Sequence, residues 1–349
     1  MPAGDLAGPV PPPVELLYAP HREAGRYFNP WLRVPVRFTD LLRWKLGHNP
    51  YDKSAPPRVP VAANDGSYLR AAGQPASLTW VGHSTFAIQD GGEVVLTDPH
   101  WGTRALLPRR KVPPGIPLAA VPETAFAVLS HNHYDHLDTW TVAHLPESVA
   151  WVVPKGLATW FRGRRCLEPV EPREPGEPGE PRERREPGEI IELDWWQSVR
   201  RGRWTLTCLP AQHWSNRLDS GRNTSLWCSW LLDSGNRRYY FAGDTGYFHG
   251  FAEFGRRYGP IDVALLPIGA YEPRWFMRPQ HMNPEEAFRA YRDLGARILV
   301  AMHWGVFDLT DEPVDLAPRV LESVLKREHA RPGEVRILAI GERYVTGLA

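Results

Sequence analysis

The stretch SHNHYDHLD, residues 130–138, sets three histidines and two aspartates within nine positions, directly after the apolar run AFAVL at 125–129. Such a run reads as a fully buried strand, so the polar cluster sits where the chain leaves a sheet. His131 and His133, two apart in a loop leaving a strand, can bring their imidazoles to one ion, while Asp135 and His136 turn toward a neighbouring position. Zinc takes nitrogen and oxygen ligands at about 2.0–2.2 Å, and a second ion about 3.5–4 Å away needs its own donors and a bridging group. The loop supplies only half of each set, which demands further donors at other strand ends. His213 after LTCLPAQ, Asp244 after YYFAG and His303 after ILVAM meet that demand. Each alone reads as a core or surface residue; their shared place at the ends of apolar runs makes a metal centre the better reading.

The rest of the chain frames this centre. It has 349 residues, 42% of them hydrophobic, with 41 basic against 40 acidic side chains. A balance so near neutral gives no long-range field for a polyanion, so nucleic acid is not an expected partner. Three cysteines, Cys166, Cys208 and Cys228, form no CxxC pair and read as small core residues. No basic region followed by an apolar run opens the chain, and no apolar stretch reaches about 18 residues. The expected location is therefore cytoplasmic, with an amphipathic surface still able to touch the inner face of a membrane.

Residues 1–25, rich in Pro, Gly and Ala, are expected to form a loose arm, and 26–349 the folded domain. Within that domain, 168–189 alternates charge with Pro and Gly and should be an exposed insertion. Short β-rich runs start at SLTWVG (77–82), with QDGGE as a hairpin turn, and continue through WTLTCL, SWLLD, RRYYF and IDVALLP. One helix is well marked: Asn283 can cap it, Pro284 suits its first position, Glu285 and Glu286 favour its positive end, and Gly295 follows FRAYRDL. The buried strand RILVAMHW then runs into His303. Two sheets with helices outside, an α/β fold, is the architecture that these elements predict.

The series HxHxDH, His, Asp, His in this order resembles the metallo-β-lactamase fold, an αββα sandwich with a dinuclear metal site at the edge of its two sheets. The resemblance implies two Zn2+, other divalent ions remaining open. One would be held by His131, His133 and His213, the other by Asp135, His136 and His303, with Asp244 bridging. Asp98 in LTDPHW matches the carboxylate that orients such a site from behind, or is a plain turn Asp before Pro99.

Longer strings, among them FNPW, TWVGHST, LTDPHW, PAQHWSNR, FAGDTGY, AYEPRWFM and QHMNPEEA, look like the N-acyl-phosphatidylethanolamine-hydrolysing phospholipase D family over residues 26–345, the insertion apart. That resemblance implies a phosphodiesterase releasing N-acylethanolamine and phosphatidic acid from a phospholipid. Asp135, Asp244 and His281 would be its catalytic residues, and Tyr134 and His281 its substrate contacts. Tyr134 would hydrogen-bond the head group and His281 protonate the leaving alkoxide; the alternatives are a packed aromatic and a polar helix entry. Arg217 and Arg274 are candidate phosphate partners, with structural ion pairs as the favoured alternative, and His83 reads as a buried histidine beside the site. The segment YFNPWLRVPVRFTDLLRWKL (27–46) suits peripheral contact with a bilayer or packing over the core. A homodimer is open to the chain by analogy with its family. Two rivals stay open: a lactonase or other ester hydrolase of this fold, and a non-catalytic lipid-binding scaffold that has kept it. An RNA-processing nuclease is disfavoured by the missing basic excess.

Overall fold

The apolar runs of the sequence become the strands of two mixed sheets. The computed structural model describes residues 12–32, 38–162 and 189–347. In the first sheet the spatial order is Arg343–Val345, Ser77–Gly82, Thr85–Asp90, Glu93–Thr97, Phe126–Val128, Ala150–Pro154 and Ile190–Leu193. In the second it is Val335–Arg336, Ala296–Met302, Ile261–Pro267, Arg238–Phe241, Ser229–Asp233, Trp204–Leu209 and Ser198–Arg201. Each sheet is antiparallel in one half and parallel in the other.

Both faces of each sheet are covered, which explains why its strands read as continuous apolar runs rather than alternating ones. Phe86, Ile88 and Val95 point into the core shared with the second sheet, while Ala87, Val94 and Leu96 point to the outer face. Across the inner layer Trp80 lies 5.0 Å from Trp304, and Phe126 6.4 Å from Trp204. Outside the first sheet, Phe161 of helix Ala158–Arg162 packs 4.8 Å from Trp151. Outside the second, Phe254 of helix Gly250–Tyr258 packs 5.9 Å from Tyr240. Helix, sheet, sheet, helix is the αββα order expected from the ligand series.

The helix Pro284–Leu294 carries every signal read from its sequence. Asn283 accepts from the Glu286 amide while the Glu286 carboxylate accepts from the Asn283 amide, Pro284 opens the helix, and Gly295 ends it at φ 60°. Cys208 and Cys228 are buried, as expected of core residues; Cys166 lies outside the described residues, as does the charged insertion except for Glu189.

The expected loose arm is corrected from Val14 onward. Val14–Tyr18 is a 3-10 helix with Leu17 fully buried, and Arg22–Glu23 pairs with Arg26–Tyr27 as a hairpin. Tyr18 stacks 4.5 Å from Trp196, whose Nε1 donates to the Leu17 carbonyl. These partners lie some 180 positions away, so local composition carries no trace of them. The next residues also pack inward: Trp31 stacks on Phe248, and the Asn29 amide donates to the carbonyl of His213 at 2.9 Å.

Because the capping box closes the helix that follows His281, Asn283→Ala should lower the unfolding free energy by about 1 kcal/mol. Asn283→Asp should leave it nearly unchanged. Urea denaturation curves of the two variants check this.

Candidate metal centre

Donors from five segments meet beyond the carboxyl ends of the strands. The loop after Phe126–Val128 brings His131, His133, Asp135 and His136. His213 follows Trp204–Leu209, Asp244 follows Arg238–Phe241, His303 follows Ala296–Met302, and His281 precedes helix Pro284–Leu294. All seven expected metal donors and His281 are therefore in one place. His131, His133 and His213 form one group with ligand atoms within 4.8 Å of one another; Asp135, His136 and His303 form another, joined by His83.

In the first group three ring nitrogens converge: His133 Nδ1 is 2.9 Å from His131 Nε2 and 3.2 Å from His213 Nε2. For two of these rings the far side fixes which nitrogen bears hydrogen. His213 Nδ1 donates to the Gln280 carbonyl at 3.0 Å. The Ser130 hydroxyl gives its hydrogen to Asp98 Oδ2 at 2.5 Å and so accepts from His131 Nδ1 at 2.9 Å. Nε2 of both rings is thus a bare lone pair facing inward. A hydrogen on His133 Nδ1 could serve only one of them, whereas a cation among the three serves all; ligands about 2.05 Å from a tetrahedral zinc stand about 3.3 Å apart.

Asp244 lies between the groups. Its Oδ2 is 3.1 Å from His136 Nε2, 3.9 Å from His131 Nε2 and 4.0 Å from His213 Nε2. Its Oδ1 is 3.0 Å from His303 Nε2 yet has no aligned hydrogen-bond partner. Asp135 Oδ2 approaches His136 and His303 at 3.4 and 3.5 Å and accepts from His83 at 2.9 Å. Behind His136, Asp98 Oδ2 accepts from Nδ1 at 2.6 Å and fixes that ring's tautomer as well. Asp98 is therefore more than a turn residue. Gly243 makes the approach possible: at φ 57°, a Cβ there would lie 2.5 Å from the Ser130 Cβ.

Burial shapes the charges. It holds His131 well below the usual histidine range, with neighbouring imidazoles adding to the effect; His133 falls to about 4 and His213 to about 3. His136 and His303 are pushed down by burial too, but Asp244 and Asp135 outweigh it, raising His136 well above the usual value and His303 to about 9. Burial would raise both carboxyls; the facing imidazoles hold Asp135 and Asp244 well below the carboxylate range. Neutral lone pairs on one side and anionic oxygens between are a donor set that fits divalent cations.

The remaining expectations divide. His281 reaches the site, its Nδ1 3.9 Å from Asp244 Oδ2. The Tyr134 hydroxyl accepts from the Leu218 amide at 3.2 Å, and its ring lies 4.0 Å under the Arg217 guanidinium, so the packed-aromatic alternative describes the ring. Neither arginine is free for a phosphate. Arg274 donates to the Tyr271 and His281 carbonyls and pairs with Glu286 at 2.6 Å. Arg217 is buried and donates to the Asn132 and Leu137 carbonyls. Sequence reasoning missed Ser130, Asn29 and Gln280, which hold the ligand rings and loops from behind; ordinary polar residues in isolated positions carry no signal of such work.

Comparison with known proteins agrees with this geometry. The β-lactamase superfamily domain model matches residues 93–304. The chain is 40% identical over 284 residues to an uncharacterized protein of Mycobacterium tuberculosis, covering 78% of this chain and 70% of that one. It is 38% identical over 254 residues to N-acyl-phosphatidylethanolamine-hydrolyzing phospholipase D 1 of Caenorhabditis elegans, covering 69% and 67%. A possible metal-dependent hydrolase from Veillonella parvula shares the fold at a TM-score of 0.60, with 13% identity over 78% of this chain and all of that one. With its αββα layers and its histidine and aspartate cluster, the chain belongs to the β-lactamase superfamily of metal-dependent hydrolases, as a relative of the N-acyl-phosphatidylethanolamine-hydrolysing phospholipases D.

Proposed function

We propose that this chain is a dinuclear zinc phosphodiesterase of the phospholipase D type, hydrolysing N-acyl-phosphatidylethanolamine or a related phospholipid to N-acylethanolamine and phosphatidic acid. The observation that carries the reading is the convergence of six donors in two groups about a seventh, Asp244, in a chain 38% identical to the C. elegans phospholipase. In this reading His131, His133 and His213 hold one ion, Asp135, His136 and His303 the other, and Asp244 both. Bound there, the ions would supply a water of lowered pKa and neutralise charge growing on a phosphoryl oxygen.

The chain's own groups position and donate. Asp98 and Ser130 set the His136 and His131 tautomers, and His83 holds one oxygen of Asp135. The Tyr134 hydroxyl accepts from Leu218 and keeps its own hydrogen for a phosphate oxygen. His281, fixed through its backbone by Met277 and Arg274, presents a ring nitrogen to the reacting region, its Nδ1 3.9 Å from Asp244 Oδ2, as the candidate donor to the leaving alkoxide.

Substrate arrives from a bilayer in this account. Helix Phe38–Leu46 and Arg274–Met277 form a ledge in which Trp44 packs 5.2 Å from Phe276 and Arg43 lies over Trp275. Leu41, Leu42, Leu46 and Trp275 are exposed there beside Arg43 and Lys45, a pattern that suits apolar insertion with basic groups at phosphate level. No helix among the described residues is long and apolar enough to cross a membrane.

Zinc-loaded protein incubated with N-acylated and plain phosphatidylethanolamine, phosphatidylcholine and a lactone should release N-acylethanolamine and phosphatidic acid, read by mass spectrometry. Turnover of the lactone alone would favour the ester-hydrolase reading instead. His281→Asn should lower kcat by about 10²–10⁴-fold while its metal content stays at the wild-type level; loss of metal along with activity would make His281 a ligand.

A further inference from the structure

The loop that carries His133, Asp135 and His136 has few means of its own to hold three donors in place. Its internal backbone bonds are those from the His136 and Leu137 amides to the His133 carbonyl. What closes it comes from elsewhere. A single nitrogen of Arg217, Nη1, donates to the Asn132 carbonyl at 3.1 Å and to the Leu137 carbonyl at 2.8 Å, pinching the two ends of the loop together. Nη2 reaches Thr139 Oγ1 at 3.3 Å, so the grip extends into the helix that follows. The guanidinium lies over two aromatic rings, 4.0 Å from the centre of the Tyr134 ring and 5.2 Å from that of Trp160. Its side chain is 3% exposed.

Arg217 stands four positions after His213, in the short hairpin Asn216–Arg217 with Gly221–Arg222. The same hairpin takes hold of the loop by its backbone as well: the Asn216 amide donates to Asn132 Oδ1 at 2.9 Å and the Leu218 amide to the Tyr134 hydroxyl at 3.2 Å. The segment bearing His213 and the loop bearing His131 and His133 are thus fastened to each other through Arg217 and its neighbours. We infer that Arg217 is a positioning residue of the metal centre, locking these two segments in register so that His131, His133 and His213 converge, an inference that rests on the metal reading above. The role needs a planar fork that serves several acceptors while resting against aromatic rings, which a lysine ammonium does not provide.

Residues that orient ligands from behind typically change metal affinity by 10–100-fold when replaced. Zinc titration against a chromophoric chelator, with metal-free wild type, Arg217→Lys and Arg217→Ala, tests the inference. Both variants should bind zinc 10–100-fold more weakly while their metal-free forms keep the far-ultraviolet circular dichroism of wild type, and millimolar guanidinium should restore part of the affinity of Arg217→Ala. Zinc binding by Arg217→Lys as tight as wild type would overturn the inference and leave the metal reading standing. So would a metal-free Arg217→Lys that has unfolded, since the arginine would then hold the fold rather than the two segments. A wild-type protein that binds no zinc would remove both.

Discussion

Asp244 is a carboxylate buried among imidazoles contributed by the 131–136 loop and by His213, His281 and His303. An ionised carboxylate taken out of water is unfavourable by several kcal/mol unless it is paired and hydrogen-bonded. The fold places it between His136 and His303, both within about 3 Å. Gly243 lets its backbone pass against Ser130, and Ser130 and Asp98 in turn face His131 and His136 inward. Seven polar groups packed so closely are tolerable only as one mutually compensating set, which divalent cations would complete.

This constraint also decides what the nearby arginines do. Arg217 and Arg274 looked suited to a phosphate because a guanidinium matches two oxygens. In the folded chain each is turned onto backbone carbonyls, Arg217 at the loop of His133 to His136 and Arg274 at the carbonyl of His281. In the proposed function, recognition of a phosphate would fall to the cations, Tyr134 and His281.

Much of this was legible in the sequence. The helix Pro284–Leu294 announced itself because Asn, Pro, paired Glu and Gly each act locally on a helix end. The donors were legible because sheet ends expose them at the termini of apolar runs, and the αββα layering followed from the resemblance that those donors carried. What stayed hidden depends on distance along the chain. Leu17 against Trp196, Asn29 under His213 and Arg217 across to Leu137 join residues 80 to 184 positions apart. Neither periodicity nor composition encodes such partners. The 27–46 segment shows the division within one stretch: Tyr27, Asn29 and Trp31 pack inward, while Leu42 and Leu46 remain exposed.

Asp244 is proposed to join two groups of donors into one two-metal site. Native mass spectrometry of wild type and Asp244→Ala, each loaded with zinc and dialysed, counts the ions directly. Two zinc ions per wild-type chain and fewer than two in Asp244→Ala are the expected result. A single ion in the wild type, or two in the variant, would contradict it.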